Sequence, residues 1–512
     1  MPISQLGALN TTALIVPDLY VQIVPPAITL LNGVPTNVLG VVGTATWGPT
    51  NSPTIVGGMS DYAQKFGAIQ NRKYDAGTAV AAAVLQGAAN FRMVRVTDGT
   101  DVAASVVVLS NCITFAAKYT GSLGNSLSVV LAAGTAANSY KATVTLPGFI
   151  PEVYDNITGS GNALWVAIAN AINYGTNGLR GPSALVIATA GAGTTAPTLT
   201  TYALSGGTDG ATTITSSVLI GLDTVPRKGM YALRSNGVSV AMLADCDDTT
   251  QYTTQVSFGL SEGIYMIMVG PAGDSVSNAV SVKATAGIDS YAAKILFGDW
   301  IVFNDTVNGV QRLISPQGFV AGLLSNLAPQ GSSLNKQLYG IVATQKTLAN
   351  QTYSTADLQA LGQAGIDVIT NPVPGGSYFG ARFGHNTSSN AVINGDNYTR
   401  MTNYIASTIN AGMGIYIGQL QTPTVRTNAK ATLDSYFSNL QQQGQIGTAD
   451  GSPCFSVTLD NTNNPASRVA LGYMQADVMA TYFSVIEKFL VNLQGGQSVQ
   501  ITKQSTAPVS TN

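Results

Sequence analysis

Along this chain, hydrophobic and polar residues are arranged as in strands in some stretches and as in helices in others. Strand-like runs dominate the first hundred residues. Apolar runs rich in β-branched residues at 38–43, 54–56 and 91–96 are bounded by Gly, Pro and Asn, as buried strands are. The Ala-rich segment 75–89 lies between the second and third runs and predicts a helix. Together these elements predict one α/β unit.

The middle of the chain contains two stretches with different patterns. Residues 101–215 are dominated by Val, Thr, Ala and Gly and predict a β-rich module with one helix, at 163–174. Residues 216–330 return to alternating strands and helices, with an apolar run at 265–269 and a helical segment at 275–286. We therefore expect a β-rich insertion followed by a second α/β region.

The last third of the chain carries apolar side chains at helical spacing in three segments. Residues 398–409, 429–443 and 477–491 each place these side chains on one helical face. Aromatic side chains at this spacing are typical of a packed core, so we predict three core helices. The longest stripe belongs to the third segment and consists of Val478, Met479, Tyr482, Phe483, Ile486, Phe489, Leu490 and Leu493.

A short strand is predicted near each end of the chain, separated from the rest by Pro or Gly. Pro17 precedes the N-terminal strand and Pro25 follows it, while Gly495 and Gly496 precede the C-terminal strand. Such a strand pairs with a distant part of its own chain or with another chain, and the pattern favours neither. The strands consist of Leu19, Tyr20, Val21, Gln22, Ile23 and Val24, and of Ser498, Val499, Gln500, Ile501, Thr502 and Lys503.

The chain is poor in charge: only 9 % of its 512 residues are charged, against roughly 25 % in an ordinary soluble domain. Its 23 Lys and Arg residues cannot provide a dense phosphate-neutralising track, so direct nucleic-acid binding is not expected. The surface must instead be rich in Gly, Ser, Thr, Asn and Gln, which are cheap to desolvate. We infer that much of this surface is interface in an assembly.

The pattern of cysteines and the lack of a recognisable secretory signal predict a cytoplasmic origin. Cys112, Cys246 and Cys454 are odd in number and widely spaced, so they form neither a disulfide framework nor a metal site. No apolar run reaches the ~18 residues of a membrane-spanning helix, and membrane insertion is not expected. No Lys or Arg precedes Lys65, so the basic region of a secretory signal is missing.

The sequence offers few candidate catalytic or metal-binding residues. Residues 259–263 match the pattern of a nucleophile elbow with Ser261 as nucleophile, but a strand pattern follows where an elbow needs a helix. Its one possible histidine partner, His385, lies in a turn-rich stretch, and an ordinary turn serine is the alternative. The acidic group at 245–248 lacks the ligand spacing of a calcium loop and is interpreted as a solvated loop. We predict no catalytic residue, metal or cofactor.

Several segments, in their order along the chain, resemble contractile phage tail sheath proteins. Residues 16–100 and 330–503 carry most of this resemblance. The matching segments near the N-terminus are Val16-Pro-Asp-Leu-Tyr-Val-Gln-Ile-Val-Pro25, Gly33-Val-Pro-Thr-Asn37, Val41-Val-Gly-Thr-Ala-Thr-Trp-Gly-Pro49 and Asp61-Tyr-Ala-Gln-Lys-Phe-Gly67. Those further along are Tyr119-Thr-Gly-Ser-Leu-Gly-Asn125, Leu204-Ser-Gly-Gly-Thr-Asp-Gly210, Gly365-Ile-Asp-Val-Ile-Thr370, Tyr378-Phe-Gly-Ala-Arg-Phe383 and Gln497-Ser-Val-Gln-Ile-Thr502.

The resemblance implies a mixed α/β core sheath domain formed from both ends of the chain, with β-rich inserted domains and extended terminal arms. The terminal strands would then join sheets of neighbouring subunits. The implied parts are an N-terminal arm at 1–30, a discontinuous core sheath domain at 31–100 and 331–495, a β-rich inserted domain at 101–215, a second α/β domain at 216–330 and a C-terminal arm at 496–512.

The implied function is structural rather than enzymatic. Sheath subunits polymerise as stacked hexameric rings around an inner tube and contract to drive it through the host cell envelope. The implied partners are further copies of the chain, the inner tail tube protein, and baseplate and tail terminator proteins. The expected location is the tail sheath of a virion, assembled in the host cytoplasm. The alternatives are another self-assembling viral or surface-layer protein and, more remotely, a serine hydrolase using Ser261.

Overall fold

The computed structural model describes residues 3–4, 21–22, 31–176, 180–491 and 493. The strands in this part of the chain are β1 (Ile3–Ser4), β2 (Val21–Gln22), β3 (Leu39–Gly43), β4 (Thr54–Val56), β5 (Phe91–Arg95), β6 (Ser105–Val108), β7 (Ile113–Ala117), β8 (Ser128–Ala133), β9 (Tyr140–Thr145), β10 (Glu152–Ile157), β11 (Val186–Ala190), β12 (Thr201–Ala203), β13 (Val240–Leu243), β14 (Tyr265–Val269), β15 (Ala293–Leu296), β16 (Ile301–Asp305), β17 (Val310–Ile314), β18 (Ile341–Thr344), β19 (Ile366–Asp367), β20 (Ile369–Thr370), β21 (Gly380–Ala381), β22 (Phe455–Thr458) and β23 (Asp477–Ala480). The α-helices are α1 (Met59–Phe66), α2 (Ala76–Val84), α3 (Gly161–Tyr174), α4 (Ser216–Ile220), α5 (Tyr252–Glu262), α6 (Val276–Thr285), α7 (Gln317–Asn326), α8 (Gln345–Leu348), α9 (Thr355–Gln363), α10 (Asp396–Met413), α11 (Pro423–Gln442) and α12 (Ala466–Ala470).

A seven-stranded sheet with the order β19-β15-β14-β13-β3-β5-β4 lies at the centre of the described structure. Its strands are parallel except for β4, which pairs antiparallel with β5 at one edge. Every residue of β3, β13 and β14 is buried, as expected for a parallel sheet covered by helices on both faces. Helices α1, α2 and α7 cover one face, and α4, α5, α6 and α9 cover the other. This arrangement confirms the mixed α/β fold.

Residues between β5 and α4 form the β-rich part of the chain, which has a hydrophobic core of its own. Two antiparallel sheets, β10-β9-β8-β12 and β11-β7-β6, enclose this core together with α3. Trp165 of α3 is fully buried against them, and its ring nitrogen donates to the Thr195 carbonyl at 2.8 Å. The helix expected at 163–174 is thus confirmed as α3.

Two segments that lie side by side connect this insertion to the central sheet. Val102 and Thr208 exchange two backbone hydrogen bonds, both of 3.1 Å, and the Asp98 amide donates to the Gly210 carbonyl at 2.8 Å. The entry and exit of the insertion are therefore held together by the backbone itself.

The last third of the chain builds a smaller unit on α10 and α11. These helices confirm the predictions at 398–409 and 429–443. Met401 of α10 packs with Leu433 and Phe437 of α11, and the two-stranded sheet β22-β23 covers the same cluster. There are two further small sheets: the strands of β17-β16-β18 fall between β15 and β19 in sequence, and β20-β21 follows β19.

The helix predicted at 477–491 is wrong. Residues Asp477–Ala480 form β23, which pairs antiparallel with β22, and residues 481–491 follow without regular secondary structure. The expected core stripe is largely exposed, since Ile486, Phe489 and Leu490 all face solvent. A helix of this length is not stable by itself in water, and pairing with β22 satisfies the backbone groups at the start of the segment.

The division of the chain into five parts stays a prediction. In the described structure, strands from 31–100 and from 216–330 share the central sheet, and 331–495 contributes its edge strand β19. Apart from residues 3–4 and 21–22, the predicted arms at 1–30 and 496–512 lie outside the described residues.

Candidate functional site

The two predicted terminal strands are the first candidate site, and the structure describes little of them. Val21 and Gln22 form β2, which pairs in parallel with Ile3 and Ser4 of β1. The other residues of the N-terminal strand and the whole C-terminal strand lie outside the described residues. Their role between subunits therefore stays a prediction.

The sheet β22-β23 is a second candidate because it has only two strands in the part of the chain that the structure describes. The register pairs Phe455 with Ala480 and Thr458 with Asp477. Phe455 stacks on Phe437 of α11 with ring centroids 5.7 Å apart, which fixes the sheet to the helical unit. A strand at the edge of a sheet presents unpaired N–H and C=O groups, so this sheet is suited to accept further strands.

A buried ionic cluster joins α10 to the central sheet. Lys294 of β15 is fully buried, and its Nζ lies 2.6 Å from Oδ2 of Asp367 and 3.1 Å from Oδ1 of Asp396, the first residue of α10. Lys294 also donates to the His385 carbonyl at 3.0 Å. The Tyr265 hydroxyl of β14 donates to Asp396 at 2.6 Å. The cluster therefore fixes the N-terminus of α10 against two strands of the sheet.

Both carboxylates of this cluster act as acceptors for neighbouring groups as well. Asp367 accepts hydrogen bonds from the amides of Phe383 and Gly384, both at 2.9 Å. Burial raises the pKa of Asp396, but the charge of Lys294 and hydrogen bonds from Ser333 and Tyr265 outweigh it and lower that pKa to about 2. For Lys294, burial lowers the pKa, and the two carboxylates outweigh burial so that the pKa is raised. Lys294 and Asp396 are thus a charged pair at neutral pH, and the cluster is structural in character.

The remote hydrolase alternative is contradicted by geometry. Ser261 lies in the last turn of α5, before a turn and a strand, which is the reverse of the strand–turn–helix order that an elbow needs. Its Oγ donates to the Phe258 carbonyl at 3.0 Å. His385 bonds Glu487 at 2.7 Å and lies near the N-terminus of α10, while the loop after Ser261 lies beside Ser407, about 18 Å further along that helix.

The acidic group at 245–248 is integrated into the fold, so the solvated-loop interpretation is wrong for its first half. Asp245 is buried and accepts from the Ser315 amide at 3.0 Å, and Cys246 is buried beside it. Asp247 pairs with Lys73, while Asp248 caps a short 3-10 helix. No group of three or more His, Cys, Asp or Glu side chains among the described residues is placed to hold a metal ion.

A surface feature that the sequence did not predict is an apolar groove at the C-terminal end of α10. The groove has a volume of about 1060 Å³ and contains no charged side chain. Its mouth carries Ile417 and Leu420, which are 86 % and 84 % exposed. The sequence shows these two residues as isolated apolar positions between helices, a signal too weak to predict a groove. No helix in the described part of the chain has the length and apolar character needed to span a bilayer.

Neither a protein-family model nor a curated protein matches this chain by sequence. Solved structures match its fold. A sheath tail protein from Listeria innocua has a TM-score of 0.60 at 14 % identity, over 84 % of this chain and 90 % of that chain. A sheath tail protein from Desulfitobacterium hafniense has a TM-score of 0.55 at 17 % identity, over 86 % and 93 %.

Sheaths of contractile assemblies are similar too. The helical sheath of the anti-feeding prophage in its contracted state has a TM-score of 0.54 at 12 % identity, over 94 % of this chain and 99 % of that chain. The sheath complex of an extracellular contractile injection system, also contracted, matches with the same TM-score at 10 % identity. The similarity extends over nearly the whole described architecture rather than one common α/β sheet. The chain therefore has the fold of contractile tail sheath proteins.

Proposed function

We propose that this protein is a structural subunit of a contractile tail sheath. The observation that carries the proposal is the fold match to a helical sheath over 94 % of this chain. The low charge supports it, because a surface with few charges is inexpensive to desolvate against other subunits. The subunit would polymerise as stacked hexameric rings around an inner tail tube and contract to drive that tube through a host cell envelope.

The terminal arms would link neighbouring subunits by adding strands to a sheet. The sheet β22-β23 is the acceptor we propose, since neither of its outer edges pairs with another strand among the described residues. A six-residue strand added there would form about four to six backbone hydrogen bonds, each contributing about 1 kcal/mol net. One such arm contributes moderate binding free energy, and many arms acting together link the subunits into a continuous network.

Contraction would be the relaxation of a metastable extended lattice to a denser one. The central sheet and the β-rich insertion are well-packed bodies that can reorient as units, while arms keep neighbours connected. The energy would be stored during assembly, so no nucleotide is needed when the sheath contracts. Baseplate and tail terminator proteins would bound the sheath at its ends, and the sheath would assemble in the host cytoplasm as part of a virion tail or a related injection device.

Arm deletion tests this function. We expect chains that lack residues 1–30 or 496–512 to stay soluble and to form no tubes, because the linking strands are gone. A deletion of 505–512 alone is the matched control, since it keeps the predicted strand, and it should form tubes as the full chain does. The measurement is negative-stain electron microscopy of the purified proteins.

The same images decide between this function and other assemblies. Hollow cylinders from the full chain support a sheath, whereas flat arrays or closed shells would identify another self-assembling surface or capsid-type protein. Normal cylinders from either arm deletion would remove the arms from the mechanism.

A further inference from the structure

Residues 483–491, here called the exit segment, expose large apolar side chains at helical spacing. Ile486, Phe489 and Leu490 are 78 %, 85 % and 78 % exposed, respectively. If the segment were a helix, these side chains would share one face, and Ser484 and Lys488 would lie on the opposite face. A short amphipathic helix becomes stable only when its apolar face is covered, so the pattern requires a binding surface.

The groove at the C-terminal end of α10, here called the α10 groove, is a matching surface. Ile409, Met413 and Val425 form part of its walls, and Tyr473 lies at its edge. Neither the groove lining nor the apolar face of the exit segment contains a charged residue, so burying them against each other leaves no unpaired charge.

The exit segment cannot fill the α10 groove of its own chain. The Phe483 carbonyl accepts from the Asn397 side chain at 3.0 Å, and Glu487 bonds His385 at 2.7 Å. Both contacts place the segment at the N-terminal end of α10, about 18 Å along the helix axis from Ile409. The four residues after Glu487, as a helix, extend only about 6 Å.

We propose that the exit segment of one copy folds as an amphipathic helix in the α10 groove of a second copy. The donor and acceptor surfaces are different parts of the molecule, so a contact in which each copy donates to one neighbour and accepts from another joins copies head to tail. Head-to-tail contacts give rings or open helical assemblies rather than closed two-fold dimers. This inference extends the proposed sheath function by naming a second inter-subunit contact, separate from the terminal strands.

Cross-linking between two variants tests the contact. Phe489→Cys and Ile417→Cys are prepared in separate full-length chains, mixed under assembly conditions and treated with a short bis-maleimide. The native cysteines Cys112, Cys246 and Cys454 are buried and should react little. We expect a covalent two-chain product. Mixing Phe489→Cys with Ile150→Cys, an equally exposed position on the insertion, is the matched control and should give no such product.

A second pair of variants tests the predicted helical face. Adding Leu490→Glu to the Phe489→Cys chain should abolish the two-chain product, because it places a charge in the apolar groove. Adding Ser484→Glu, on the opposite face, should leave the product unchanged. Equal yields from these two chains, or a yield with Ile417→Cys no higher than the control, would overturn the proposal.

The outcomes separate this inference from the sheath function. Tubes without a specific cross-link would retain the sheath and remove this contact. A specific cross-link in assemblies that are not tubular would retain the contact and remove the sheath. A cross-link within one chain carrying both cysteines, at concentrations too low for assembly, would show that the segment binds its own groove and would also overturn the proposal.

Discussion

At the scale of single residues, Lys294 is a fully buried lysine at the centre of an ionic cluster. It places one positive charge between two carboxylates, those of Asp367 and Asp396, and all three side chains are fully buried. Removing one member of such a buried group leaves an uncompensated charge in a low-dielectric interior. Surface pairs such as Lys430 with Asp434 contribute far less, because water already solvates both partners.

Replacing Lys294 by Met should lower the free energy of unfolding by about 3–5 kcal/mol. The measurement is the urea midpoint followed by far-UV circular dichroism. Lys430→Met is the matched control, and it should cost less than about 1 kcal/mol because its pair is exposed. Equal losses from both variants would show that the buried cluster does not fix α10 to the sheet.

At the scale of elements, the joint between the central sheet and the insertion depends on Arg95 at the end of β5. Its guanidinium is buried and donates to the carbonyls of Gly48, Thr120 and Asp209 at 2.8, 2.7 and 3.1 Å. These acceptors belong to the loop after β3, to the segment between β7 and β8 of the insertion, and to the exit of the insertion. One side chain thus holds three separate stretches of chain in register with the sheet.

Arg95→Met should loosen this joint, since three backbone carbonyls lose a charged donor. We expect faster limited proteolysis at the linkers 97–101 and 208–213, while the far-UV circular dichroism spectrum stays unchanged. Arg92→Met is the matched control, because Arg92 lies on the same strand and, within the described part of the chain, its side chain bonds only its neighbours Asn90 and Phe91. Unchanged linker cleavage in Arg95→Met would show that the paired backbone segments alone secure the joint.

At the scale of the whole molecule, the chain contains several separate hydrophobic clusters rather than one. The cluster of the β-rich insertion draws its buried residues from 104–204 and takes only Trp47 from outside that range. A unit with its own core and adjacent ends can fold by itself, because few contacts cross its boundary. The reorientation proposed for contraction depends on such bodies staying intact.

We therefore expect residues 98–212, expressed alone, to unfold cooperatively on heating. Within that fragment, Trp165→Ala should destabilise by about 3–5 kcal/mol, since it empties the centre of the core. Val166→Ala, at the adjacent exposed position, should change stability by less than about 0.5 kcal/mol. A fragment without a cooperative transition would show that the insertion depends on the rest of the chain.

The sequence by itself determined those strands and helices whose buried side can be recognised from the spacing of their apolar residues. The continuous apolar runs at β3 and β14 indicated buried strands, and the helical stripes of α10 and α11 indicated one packed face each. The β-rich character of the insertion was equally readable from its Val and Thr content. Such signals are local, because periodicity reports which face of an element is covered.

Only the tertiary structure decided what covers each face and what pairs with each strand. The stripe at 477–491 predicted a helix, but pairing of β23 with β22 took its first residues and left the others without a surface on the same chain. Lys294 is one more lysine in the sequence, and it becomes structural only because Asp367 and Asp396 approach it from distant parts of the chain. Strand pairing, the burial of charged side chains and the α10 groove all depend on contacts between residues far apart in the sequence. A local sequence pattern cannot specify such contacts.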